Sequence, residues 1–348
     1  MSHLLAIYVH HLDPFAIQFT ESFGIRWYGL AYVAGFMGAF LLIRWFVRIG
    51  ASELKESQVA DFITILAIFG VMLGGRLGYM LLYNFDELTS NPRSFFDVLG
   101  GGMSSHGGIA GMTIMTWVYA RYTRISWVGL GDNLVTVSPV GVFFGRLANF
   151  VNGELYGRPT DSSFAMKFPD ELTEVVPISN GIDWRFPTSQ LKELAEKAGD
   201  AAPGLSAKVD SAVSLAMASG HDAHGAVVRL IQEASMENPA FRAMLGEILT
   251  PRHPSQFYEA LVEGLLVFVI LLTVRLKWKN LYHGVLTGLF FVIYAIGRIC
   301  MENLREPDSG YIAGLTKGQF YSTFMIAIGI AFLIYGFTRK RQNILPGV

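Results

Sequence analysis

Gly145-Arg146-Leu147-Ala148-Asn149-Phe150-Val151-Asn152-Gly153-Glu154-Leu155-Tyr156-Gly157-Arg158 closes an apolar run that begins near Trp127. The run, 127–150, is long enough to cross about 30 Å of hydrocarbon. The stretch that ends it places an arginine, two asparagines, a carboxylate and a second arginine into a chain that elsewhere avoids charge. Polar groups at the end of a membrane helix are costly and mark a functional site by default. A membrane fold with a polar site at one boundary is therefore the first reading.

Composition agrees. The chain has 348 residues, 52% hydrophobic and only 16% charged, against about 25% charge in soluble domains. Its net charge of −1 supplies no global basic field for nucleic acid. The single cysteine, Cys300, excludes an internal disulfide framework and any multi-cysteine metal site. The 26 Phe and 37 Gly suit a chain whose rings meet lipid and whose small residues let helices approach. At the N-terminus His10, His11 and Asp13 interrupt the apolar run, and no basic segment precedes a small-residue cleavage site, so a removable signal peptide is not expected.

Working outward, seven apolar runs have spanning length: 28–46, 59–82, 103–120, 127–150, 255–274, 282–300 and 319–337. Lys and Arg set the orientation. Arg44, Arg48, Lys55, Arg121, Arg124, Arg275, Lys277, Lys279, Arg339, Lys340 and Arg341 all fall in segments on one side. The opposite short segments hold Arg26, Arg93, Arg305 and Lys317. The expectation is an all-α polytopic membrane protein of about seven transmembrane helices, N-terminus outside and C-terminus cytoplasmic. It divides into a membrane region 1–150, an extracytoplasmic head 151–254 and a second membrane region 255–348. Within the head, 159–187 is punctuated by Pro and Asp and reads as irregular or short-strand structure. Beyond it, Leu191-Lys192-Glu193-Leu194-Ala195-Glu196-Lys197 has amphipathic helical spacing.

This topology brings the polar residues to one level. Arg146 and Arg298 end outward-going spans, and Tyr28, His106 and Tyr258 open inward-going ones, so five helices each deliver a polar group near the outer-leaflet boundary. The arginines are permanently charged planar forks suited to phosphate, and a phospholipid is the anion at that depth. The structural alternative pairs Arg146 with Glu154 and Arg298 with Glu302. His106, in Ser105-His106-Gly107-Gly108-Ile109-Ala110-Gly111, suits proton transfer near neutral pH or an N-terminal hydrogen-bonding role. Gly107 and Gly111 allow close approach of substrate or of another helix. Tyr28 and Tyr258 read equally as interfacial anchors. Arg76, between small residues inside its span, needs an internal partner, and Glu263 invites the same reading. His221 and His224 have metal-like spacing but no third ligand, which reads as a solvated loop. Cys300 reads as a small buried hydrophobe. Asp132 lies near water at the inner boundary and is assigned no role. The absence of Gly-x-Ser-x-Gly, Walker and His-Glu-x-x-His motifs argues against serine-hydrolase, P-loop and zincin chemistry.

At these residues the sequence resembles the bacterial phosphatidylglycerol–prolipoprotein diacylglyceryl transferases. The family signature, Gly-Arg-x-Gly/Ala-Asn-Phe-x-Asn-x-Glu-x-x-Gly, is matched from Gly145 to Gly157 at every fixed position. Further matches are His106-Gly107-Gly108, Trp27-Tyr28-Gly29-Leu30, Gly74-Gly75-Arg76-Leu77-Gly78-Tyr79, Arg252-His253-Pro254-Ser255-Gln256 with Tyr258-Glu259, and Gly297-Arg298 followed by Glu302, Arg305, Glu306, Pro307 and Asp308. The Ala-rich stretch from about Asn180 to Leu249 is longer than the family leads one to expect.

The resemblance implies transfer of the diacylglyceryl group of phosphatidylglycerol to a lipobox cysteine thiol of a secreted precursor, with glycerol-1-phosphate leaving, at the bacterial cytoplasmic (inner) membrane. It implies no cofactor, no metal and no nucleic-acid partner. Arg146 and Arg298 are then expected at the lipid phosphate and His106 as base or substrate orienter. Asn149, Glu154 and Gly157 are expected around the headgroup, Tyr28 and Tyr258 near the reacting centre, and Arg76, Asn152, Glu302 and Arg305 in support. A transporter or a phospholipid hydrolase using the same arginines are the rival readings.

Overall fold

The computed structural model describes residues 7–20, 23–96, 102–178, 181–278, 281–306 and 311–342. Asn180, Lys279, Pro307 and Asp308 lie outside the described residues. The chain forms two compact units. The first holds Met1–Leu30, Gly145–Glu259 and Cys300–Gly310, and the second holds Ala31–Phe144, Ala260–Ile299 and Tyr311–Val348.

Helices form along the apolar runs, and Trp127–Asn152 continues through Pro139 in its interior. Among the described residues five are long and apolar enough to cross a membrane: Trp27–Arg48, Glu56–Leu82, Trp127–Asn152, Ser255–Lys277 and Lys317–Arg339. The other two runs also become helices. Val285–Met301 is apolar but has only 17 residues, and Ser105–Thr123 carries Ser105, His106 and four further polar side chains before its end. The chain is thus a multi-pass membrane protein, mostly helical, whose β-structure consists of two-stranded pairings.

In the second unit, glycine determines how the helices meet. A Cβ added to Gly107 would fall 2.4 Å from the Gly74 carbonyl oxygen and 2.7 Å from Gly78 Cα, and one on Gly111 would fall 2.3 Å from the Gly70 oxygen. Helices Glu56–Leu82 and Ser105–Thr123 therefore cross with their backbones touching, as small-residue seams permit. The Gly107 and Gly111 spacing is helix packing. Two spans widen into π-helical turns, Leu66–Leu73 and Ala260–Leu266.

A buried polar knot holds the other end of this unit. Asp132 accepts from the Gly284 and Thr287 amides at 2.7 and 2.8 Å and from the Thr287 hydroxyl at 2.7 Å, which satisfies the first turn of Val285–Met301. Arg275 donates to Thr136, Asn133 and the Asp132 and Ala51 carbonyls, and lies over the Phe46 ring. Asp132 and Arg275 each look unpromising alone, and together they satisfy each other's surroundings.

In the first unit the Ala-rich stretch folds as four helices, Thr188–Ala198, Leu205–Ser219, His224–Glu237 and Pro239–Ile248. They enclose a core of Leu172, Leu191, Val209, Val227, Ile231, Phe241 and Leu245. The amphipathic spacing at 191–197 works as written: Leu191 and Ala195 are buried while Glu193 and Lys197 stay outside and pair at 2.7 Å. His224 corrects the solvated-loop reading. Its ring is buried, stacks on Trp184 at 3.9 Å, and bonds the Thr188 hydroxyl and the Leu172 carbonyl. Cys300 corrects the other expectation, since it is exposed.

Candidate functional site

Helix Trp127–Asn152 ends because Gly153 and Leu155 take left-handed backbone, φ 73° and 57°. A side chain on Gly153 would also meet the His10 ring at 2.9 Å. The chain then reverses into an antiparallel crossing. Gly157 N donates to the His253 carbonyl at 2.8 Å, His253 N to the Arg158 carbonyl at 3.0 Å, and Arg158 N to the Leu304 carbonyl at 2.9 Å. At the centre of this crossing only glycine fits: a Cβ on Gly157 would lie 2.5 Å from the Leu304 oxygen and 2.7 Å from His253 Cβ. Three remote segments, 153–158, 252–259 and 301–306, are thereby held together.

The polar side chains of the opening stretch point into this junction. Arg146 Nε meets Glu259 Oε2 at 2.9 Å, and Arg305 Nη1 meets the same oxygen at 3.7 Å. Glu259 is fully buried, while the Arg146 side chain keeps 15% exposure. Two cations thus share one buried carboxylate, and the ion pair holds the Arg146 guanidinium at the edge of the site. The partner is therefore Glu259, not the Glu154 of the structural alternative. Glu154 is otherwise engaged: its Oε1 accepts from Asn149 Nδ2 at 2.7 Å and Asn152 Nδ2 at 3.3 Å, and its carbonyl accepts from Gln256 Nε2 at 2.7 Å. Asn149, Asn152 and Glu154 thus form one hydrogen-bonded set on the last turn of the helix. Tyr258 sets its ring against His253, centroids 6.0 Å apart. Tyr28 is half-buried, second in helix Trp27–Arg48, and Glu302 is buried just past Met301.

Behind this junction lies an ionic cluster the sequence reading missed. Arg252, 1% exposed, binds Glu171 at 2.9 Å, Glu174 at 3.0 Å and Glu306 at 3.0 Å, and lies 4.9 Å from the Tyr156 ring centroid. Arg185 adds contacts of 3.1 Å to both Glu171 and Glu174, and the Tyr156 hydroxyl donates to Glu174 at 2.7 Å. Burial, with the Glu174 hydrogen bond and charge behind it, pushes the Tyr156 phenol up and keeps it neutral. Burial and then the Glu154 and Glu174 charges push the Asp170 carboxyl up to about 6.

The remaining sequence-predicted residues belong to the second unit. Arg298 Nη1 donates to Glu263 Oε1 at 3.4 Å, so Glu263 is a carboxylate partner of Arg298. The Tyr294 hydroxyl donates to the other Glu263 oxygen at 3.4 Å. His106 is exposed in the first turn of Ser105–Thr123, its ring 6.4 Å from that of Tyr321. The cap of that helix is Ser104, which accepts from Gly107 N at 3.2 Å. The N-terminal hydrogen-bonding role open to His106 is thus filled by its neighbour. Arg76 donates to the carbonyls of Phe95 at 2.9 Å, Gly102 at 3.1 Å and Ser94, and so anchors Gly102, four residues before His106.

Glu259, Tyr294 and Arg252 were given no role by the sequence reading, whereas Glu263 was read there as needing an internal partner and finds Arg298 and Tyr294. Glu259 carried the same usable signal, a carboxylate four residues before Glu263 in an apolar span, where it requires a cationic or hydrogen-bonding partner.

The sequence matches the family profile described as prolipoprotein diacylglyceryl transferase over residues 14–335. It is 37% identical to the phosphatidylglycerol–prolipoprotein diacylglyceryl transferase of Bdellovibrio bacteriovorus, with 97% of this chain and 96% of that one covered. The enzyme of the same name from Xanthomonas oryzae is 33% identical, covering 94% and 92%, and that from Rhodospirillum rubrum is 32% identical, covering 99% of each chain.

Proposed function

The chain belongs to the prolipoprotein diacylglyceryl transferase family, and from that premise we propose how its own side chains carry the reaction. It is a transferase of the first step of lipoprotein maturation. Its donor is phosphatidylglycerol and its acceptor the lipobox cysteine thiol just after a precursor's signal peptide. The thiolate is the nucleophile. Its sulfur attacks the glyceryl carbon that bears the phosphate ester, the carbon–oxygen bond breaks, and glycerol-1-phosphate leaves with the bonding pair. The thiol proton passes to a base, for which His106 is the candidate.

Negative charge grows on the phosphate oxygens as the bond breaks, so cations fixed there before the reaction stabilise the transition state. Arg146 and Arg298 are the side chains assigned this role. The observation that carries the reading is Glu259: a fully buried carboxylate that holds Arg146 at 2.9 Å within the signature stretch. A side chain merely seeking neutralisation had Glu154 eight residues away. Asn149 and Glu154 bind headgroup hydroxyls beside the backbone of Gly157, with Asn152 holding Glu154. Tyr28 and Tyr258 hydrogen-bond near the reacting carbon, and Glu302, Arg305 and Arg76 support the arginines and the His106 segment.

The membrane arrangement belongs to the same proposal. Seven helices cross, the N-terminus faces out and the C-terminus is cytoplasmic, in a bacterial inner membrane with the reaction at the outer leaflet. The Lys/Arg asymmetry of the short segments supports this orientation. The chain divides accordingly into membrane regions 1–150 and 255–348 with an extracytoplasmic head, 151–254, between them.

One assay tests the reaction. Purified protein receives labelled phosphatidylglycerol with a lipobox peptide carrying Cys or Ser. Label moving only to the Cys peptide, with glycerol-1-phosphate released in equal amount, is the expected result. Release without peptide would make the protein a hydrolase, and no reaction would leave lipid transport.

A further inference from the structure

We infer that Glu263 is a positioning residue: its buried carboxylate holds the Arg298 fork and the Tyr294 phenol in the orientation from which Arg298 meets the lipid phosphate. The inference rests on the phosphate role proposed above for Arg298. Glu263 lies in the π-helical turn Ala260–Leu266 and is 0% exposed. An ionised carboxylate buried in a span persists only when it is paired and hydrogen-bonded. Both of its oxygens meet the neighbouring helix Val285–Met301: Oε1 takes Arg298 Nη1 and Oε2 takes the Tyr294 hydroxyl, both at 3.4 Å. Tyr294 and Arg298 are four residues apart and so share one helix face. One carboxylate thus bridges two successive turns of that face.

The backbone leaves this bridge little freedom. A Cβ on Gly297 would meet Val262 Cγ1 at 3.1 Å, and one on Gly264 would meet Phe143 Cα at 2.8 Å. Glu263 therefore sits between two close helix contacts, where the wider π turn presents it sideways, and such turns recur at functional sites. A charge placed only to neutralise Arg298 could be an aspartate. A positioning group depends on reach, because about 1 Å of misplacement is enough to cost a hundredfold in rate.

Transfer kinetics with labelled phosphatidylglycerol and a Cys peptide test this, using Glu263→Gln, Glu263→Asp, Tyr294→Phe, Arg298→Gln and the double variant Glu263→Gln/Arg298→Gln. Both Glu263 variants are expected to lose about 10–100-fold in kcat, with KM for the lipid within about threefold and melting temperatures near wild type. Tyr294→Phe, which removes the hydroxyl at Oε2 and leaves the Arg298 contact, should lose less. In the Arg298→Gln background Glu263→Gln should add no more than about a twofold loss, since neighbours acting through one group are non-additive. Wild-type kcat in Glu263→Asp, or losses that multiply in the double variant, would overturn the inference. If Arg298→Gln itself turns over normally, the phosphate reading fails first, and that result is distinct from a slow Arg298→Gln combined with a fast Glu263→Gln.

Discussion

Replacing Arg252 by Met tests the energetic reasoning at its most exposed point. Arg252 is 1% exposed, and its main partner Glu171 is 0% exposed. Removing one partner of a buried pair costs about 3–5 kcal/mol, because the other charge stays behind uncompensated. Here Glu171 keeps Arg185 at 3.1 Å and the Thr250 amide at 2.9 Å, which places the loss at the lower end, about 3 kcal/mol. At about 2–4 °C per kcal/mol for a unit of this size, melting should fall by about 6–12 °C. Trp184, stacked on His224 in the same unit, is a fluorescence probe for purified protein in detergent. The diagnostic comparison is Arg252→Met/Glu171→Gln. Its amide oxygen still accepts from Thr250 N while the orphaned charge is gone, so it should recover about 1–2 kcal/mol relative to the single variant. A single variant melting within about 2 °C of wild type, or a double variant less stable than the single, would refute the argument that charge compensation holds this region together.

Arg146→Gln should lower thioether formation by about 10²–10³-fold, the usual loss for one fixed donor at a developing oxyanion, and should also lower the melting temperature, because Glu259 stays buried with Arg305 at 3.7 Å; near-normal turnover by the folded variant would remove the phosphate role. Gly107→Ala should destabilise the protein by about 1–3 kcal/mol because its Cβ meets backbone on both sides. Gly108→Ala, whose nearest atom is the Val71 oxygen at 3.8 Å, should fold normally, and equal behaviour of the two would contradict the glycine seam. Asp170 gives a pH prediction. Its folded carboxyl, pushed up from 3.8 to about 6, binds its proton more tightly than the unfolded chain does. Its contribution to stability is therefore full below pH 3.8 and lost as pH rises through about 6, on the order of 2–3 kcal/mol. Asp170→Asn should remove that slope and melt above wild type at neutral pH, as scans at pH 4 to 8 will show.

The chemistry of the site was more legible than its wiring. Arg146, Asn149 and Glu154 announce themselves because charge inside an apolar chain is rare, and the helices follow from run length. Pairing was not legible, since which carboxylate serves which arginine depends on segments brought together by folding. Glu154 is near Arg146 in sequence, yet the left-handed turn at Gly153 and Leu155 turns it toward Asn149 and Asn152. Glu259, distant in sequence, is the actual partner. His224 was misread because two histidines three apart suggest a loop, whereas the partner that buries one of them, Trp184, comes from a separate strand. The π-helical turns leave no mark in composition.

The four-helix stretch leaves the chain at Arg185 and returns at Thr250, and Arg185 Nη2 donates to the Thr250 hydroxyl at 3.0 Å. Departure and return therefore share one doorstep. What lies between them is tied in all the same, for His224 stacks on Trp184 and bonds the Leu172 carbonyl. A fluorescent or affinity tag therefore belongs in the exposed turn at Gly220 and His221, where the chain can bulge outward without unpicking that core.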